Sequence, residues 1–147
     1  MTGEADPGDG GHEDLLRFWT VARERAKVAT LPGYFAPSPL AAVPPPTWSF
    51  GEDPAEADRL LEVLLSGERH SIAVLASELA AGEEAPTVGT LGIVVDGSGR
   101  PRALVTARAV TVLPAGEVDA TVLIEPAPAA EPGAPVLIER LQVLYEE

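Results

Sequence analysis

The chain has 147 residues and a mass of 15.3 kDa, is 46% hydrophobic and 22% charged, and carries a formal net charge of −13, which describes one globular domain with too little apolar surface for a second core. The absence of Cys excludes disulfides, thiolate metal sites and a Cys nucleophile, and two histidines, His12 and His70, are too few for an all-histidine metal centre. No apolar run reaches the roughly 18 residues of a membrane span and the acidic N-terminus has the wrong charge for a signal peptide, so the expectation is a soluble, cytoplasmic protein with no membrane contact, metal or cofactor.

Residues 1–11 are mostly Gly, Asp and Glu, a composition with little to bury, and are expected to form a disordered acidic tail ahead of a single domain over 12–147. From Glu13 to about Ala29, the apolar residues Leu15, Leu16, Phe18, Trp19 and Ala22 share one helical face, with acids at the start and Arg23, Arg25 and Lys27 towards the end, the order that suits a helix dipole. Residues 32–46 contain six prolines and end in a triple proline, which forbids helix and predicts an extended connector. Asp53 as N-cap, Pro54 at the first helical position and Glu56 three residues after the cap predict a helix start. Ala57, Leu60, Leu61, Leu64 and Leu65 are its buried face and Gly67 its stop.

Residues 71–75, SIAVL, read as a strand. Segments 91–95 and 102–113 read as a hairpin around the DGSG turn at 96–99. Strict alternation in its second arm would put Arg108 on the face of Leu104 and Val110. TVLIE at 121–125 reads as another short strand, followed by a proline-alanine link over 126–135. The closing segment, 136–145, fits both periods, helix slightly better than strand.

The charge is concentrated at the ends. The first sixteen residues hold five acids and no Lys or Arg, and residues from 115 onward hold seven acids against Arg140, which leaves only −2 on residues 17–114. A basic face is therefore open to the middle of the chain, built from arginine because Lys27 is the only lysine, and arginine suits planar contacts to phosphate or carboxylate. No phosphate-binding loop, dinucleotide fingerprint, zinc-helix motif, nucleophile elbow or calcium loop is present. His70 beside Ser71 would make a base and nucleophile, but neighbours on a strand point to opposite faces, so no hydrogen bond is expected between them.

WSFG at 48–51, an amphipathic helix ending LLSG at 64–67, and APTVGTLGIVVDGSGRPRAL at 85–104 occur in an order and spacing that resembles the ASCH domain of the PUA-like superfamily. VTVLPAGEVDA at 110–120 and APVLIERLQVLY at 134–145 continue the resemblance. It implies an α+β fold, a small β-barrel flanked by helices, with a cleft beside the segment after the second helix, and it makes 136–145 a strand. Members of the family are described as RNA-binding or nucleoside-related modules, and one branch removes the acyl group from N4-acetylcytidine. In GERHSI, residues 67–72, Arg69 stands where those amidohydrolases carry a lysine and Ile72 where they carry a threonine. An arginine is always protonated and an isoleucine has no hydroxyl. The acidic excursion that bears the family's glutamate is replaced by the short link around 126–135. The resemblance thus implies a non-catalytic module for RNA or a modified nucleoside, with no catalytic residue assigned. Its candidate cleft residues are Arg69 as the anion contact, His70 and Arg108 as helpers, and Trp48 or Phe50 as a stacking face unless these pack in the core. A homodimer or a protein-interaction subunit with a vestigial cleft is the alternative, and an amidohydrolase is the weaker one.

Overall fold

The computed structural model describes residues 7–26, 43–78 and 87–147. The expected connector therefore lies outside the described residues up to 42, as do positions 1–6 of the tail and the segment 79–86. Helix α1 spans Pro7–Arg25, so residues 7–11, assigned above to the tail, are helical. Propagating an anchored helix costs far less than nucleating it, and Pro7 suits a first turn. The anchor is Phe18, Trp19 and Ala22, all buried against Ile93 and Leu104.

Helix α2, Pro54–Ser66, starts and stops as its caps dictate. Asp53 is extended and its carboxylate accepts from the Glu56 N–H at 2.8 Å. The Glu56 carboxylate reaches back to the Glu52 N–H at 2.9 Å, one residue earlier than in the standard capping box. Gly67 closes the helix at φ 79°, its N–H on the Leu64 carbonyl, a conformation that favours glycine.

The strands are β1 (Thr47–Trp48), β2 (Ser71–Leu75), β3 (Leu91–Val95), β4 (Pro101–Pro114) and β5 (Pro135–Glu146). They form one mixed sheet in the order β1-β3-β4-β5-β2. β1 runs parallel to β3, and the other pairs are antiparallel. α1 packs on one face over Ile93, Leu104 and Leu144, and α2 on the other over Val94, Val105 and Leu141. Both faces of β3 and of the first half of β4, Pro101–Ala107, are therefore covered, which explains their near-continuous apolar runs. The fold is α+β, as expected, but the sheet stays open with β1 and β2 at its edges, a half-barrel rather than a closed one. It curls far enough for Trp48 on one edge and Ile72 on the other to line the same hollow.

Two segments depart from their local pattern. Residues 136–145 are strand, because β5 finds β4 on one side and β2 on the other, and a full ladder outweighs a marginal helical period. Residues 121–125 do not form the expected strand: Ala120–Val122 is a 3-10 turn, followed by a single parallel bridge from Leu123 to Ser71. Asp119 accepts from both the N–H and the hydroxyl of Thr121, at 2.9 and 2.6 Å, and that cap draws the chain into a turn.

Candidate functional site

The site is set by an irregularity in the β4–β5 ladder. Ala107 pairs with Leu141 and Ala109 with Arg140, so Arg108 is an extra residue with no partner across the ladder. Such a bulge re-aims its side chain. Strict alternation had put Arg108 with Leu104, but Leu104 packs under α1, whereas Arg108 is exposed and lines a cleft with Leu64 and Leu65 of α2. The alternation fails there because of the inserted residue.

This cleft has a volume of about 660 Å³. Its floor is Leu64, Leu65, Leu141 and Val143, and its polar groups are His70, Arg108, Arg140 and Gln142. No carboxylate is among its described lining residues. Neither Arg108 nor Arg140 has a hydrogen-bond or ion-pair partner among the described residues, in a chain with 23 acids. The C-terminal end of α2 reaches the same cleft at Gly67 and contributes a partial charge of about −0.5. Two guanidinium groups exceed that several-fold, so the local field is positive.

His70 is held from three directions. Its N–H donates to the Val122 carbonyl at 3.1 Å and its carbonyl accepts from the Leu141 N–H at 2.8 Å. Its Nδ1 lies 2.8 Å from the Ser71 hydroxyl, contrary to the expectation from strand alternation. The pair meets because His70 precedes β2, which begins at Ser71, so its side chain need not follow the pleat. Ser71 is only 2% exposed, which keeps its hydroxyl away from a ligand in the cleft and makes the pair an orienting contact for the imidazole.

The other expected site residues fall elsewhere. Arg69 Nη1 donates to the carbonyls of Ala120 at 3.2 Å and Leu123 at 3.1 Å, tying the 3-10 turn to the start of β2. It lines a separate hollow with Arg59. Phe50 is 1% exposed, within the core under α2, so it offers no stacking face. Trp48 packs edge-on to Phe50, ring centres 4.9 Å apart, and its half-buried indole lines the hollow shared by the two sheet edges. Of the sequence candidates, the structure brings together His70 and Arg108. Arg140 and Gln142 were missed, and their signal was weak: Arg140 stands out as the only base after residue 115, but its pairing to Ala109 depends on the bulge.

An open half-barrel between two helices, with a basic cleft at the end of the second helix, defines a PUA-like α+β domain. A family model for the ASCH domain matches residues 46–125, more than half of the chain, and the chain belongs to that family. Its fold is similar to that of protein EF3133 from Enterococcus faecalis V583, of family DUF984, with a TM-score of 0.67 and 16% identity over 89% of this chain and 92% of that one. It is also similar to an ASCH domain from Lactobacillus crispatus JV V101, with a TM-score of 0.63 and 16% identity over 88% of this chain and 96% of that one. No curated protein matches the chain. No described helix is long and apolar enough to cross a membrane.

Proposed function

We propose that this ASCH domain is a non-catalytic module that binds single-stranded RNA, with Arg108 and Arg140 on the backbone phosphates and His70 beside them. The observation that carries the reading is a pair of arginines with no partner and no lining acid among the described residues, in a cleft of a strongly acidic protein. With so many carboxylates in the chain, two guanidinium groups unpaired among the described residues fit an anionic ligand that arrives from outside. The apolar floor under them gives a base or ribose a dry surface to lie on. Arg69 and Ile72 at the positions of the amidohydrolases' lysine and threonine support the absence of catalysis.

The test is fluorescence anisotropy of labelled single-stranded RNA with the wild type and the Arg108→Ala/Arg140→Ala double variant. Binding should weaken with salt, each phosphate contact adding about 0.7 to the slope of log K against log salt. The double variant should lose about 1.4 of that slope. Equal affinity and equal slope for both proteins would overturn the proposal.

A further inference from the structure

A second hollow, of about 250 Å³, lies between the curled edges of the sheet. Its walls are Ile72, Leu91, Val105 and Leu141, and its polar groups include Trp48 and Glu139. Leu141 also lines the basic cleft, so the two spaces share a wall. β5 supplies a polar residue to each, Glu139 to the hollow and Arg140 to the cleft.

The Trp48 indole N–H and the Glu139 carboxylate have no hydrogen-bond partner among the described residues. Both residues are half-buried, so these groups are open to the hollow and free to pair with a ligand that enters it. Burial holds the Glu139 carboxyl above the usual glutamate value. Gly92 lets the indole lie against β3, since a Cβ there would sit 2.8 Å from Trp48 Nε1.

We infer that this hollow is a base-recognition subsite selective for guanine. A carboxylate offers two adjacent acceptor oxygens and an indole N–H offers one donor. Guanine is the common base that carries two neighbouring donors, N1–H and the 2-amino group, next to an acceptor, O6. Cytosine and adenine present one amino group each on that edge, and uracil one ring N–H between two carbonyls. The volume admits a purine, and the aliphatic walls give its faces an apolar surface to lie against. The inference deepens the RNA-binding reading by naming the base, but nucleosides carry no phosphate, so its test does not depend on the arginine cleft.

The chain has only two tryptophans, Trp19 and Trp48, so a proton–nitrogen spectrum shows two indole signals, assigned by Trp48→Phe. At pH 8, guanosine should shift the Trp48 signal and leave that of the buried Trp19 in place. Inosine, which lacks the 2-amino group, should bind roughly tenfold more weakly, the effect of one hydrogen bond to a charged acceptor. Glu139→Leu should weaken guanosine by at least that factor and abolish its advantage over inosine. Arg108→Ala/Arg140→Ala should leave guanosine binding unchanged, and loss of RNA binding in that variant with guanosine binding intact supports both readings separately. A Trp48 signal unmoved by guanosine, moved equally by all four nucleosides, or moved by choline instead would overturn the inference, the last marking a site for organic cations.

Discussion

Replacing Arg69 by Ala separates a structural arginine from a ligand-binding one. Arg69 Nη1 donates to the carbonyls of Ala120 and Leu123, and these contacts fasten a turn that makes a single bridge to β2. A hydrogen bond from a charged donor is worth about 1.5–3 kcal/mol where it is shielded, and less where water competes. One of the two is exposed and the other half-buried, so their joint loss should cost about 2 kcal/mol. For a chain of this size that lowers Tm by about 4–8 °C. Urea unfolding followed by circular dichroism should show the midpoint fall with the slope unchanged, and Arg69→Lys should recover part of the loss, since an ammonium can reach a carbonyl but lacks the planar fork. Affinity for RNA should stay within about twofold once the protein is held below its transition, because the basic cleft is built from His70, Arg108 and Arg140. A variant with wild-type stability and abolished binding would refute this reasoning and return Arg69 to the anion contact that the family resemblance implies.

Gly97→Ala should destabilise the protein by about 1–3 kcal/mol, because a Cβ there runs into the Pro54 backbone at the start of α2; Gly99→Ala, with open space but φ 86°, separates backbone strain from this clash in the same thermal melts. Asp96 is pushed up by burial, but hydrogen bonds from Ser98 and Arg100 outweigh it and hold its carboxyl below the ordinary 3.8. Its contribution is complete above that value and disappears as the pH falls through the lower folded one, so stability measured from pH 5 downwards should fall less steeply in Asp96→Asn. Glu139 has the opposite sign: burial raises its carboxyl above 4.5, so stability is whole below that value and declines as the pH rises through the folded one. Glu139→Leu should therefore melt higher than the wild type at pH 7, with the gap closing towards pH 4. An equal gap at both pH values would place the gain in packing instead of charge burial.

Local chemistry was enough wherever a segment's own residues decided its conformation. Asp53, Pro54 and Gly67 bound α2 because caps act within one turn, and the DGSG turn sets the β3–β4 hairpin because Asp96 can satisfy three donors by itself. The order of the WSFG, LLSG and DGSG blocks was likewise legible and led to the right family. Partners distant in the chain decided the rest. Residues 136–145 balance between helix and strand until β4 and β2 flank them. Arg108 enters the cleft only through a bulge defined by its register against β5, and Glu139 lines one hollow with Trp48 only because the sheet curls. Caps and turns are written in a few adjacent residues, whereas register and curvature belong to strand pairs 30 or more residues apart, as between Ala109 and Arg140, so the arginine cleft and the tryptophan hollow came into view only with the tertiary structure.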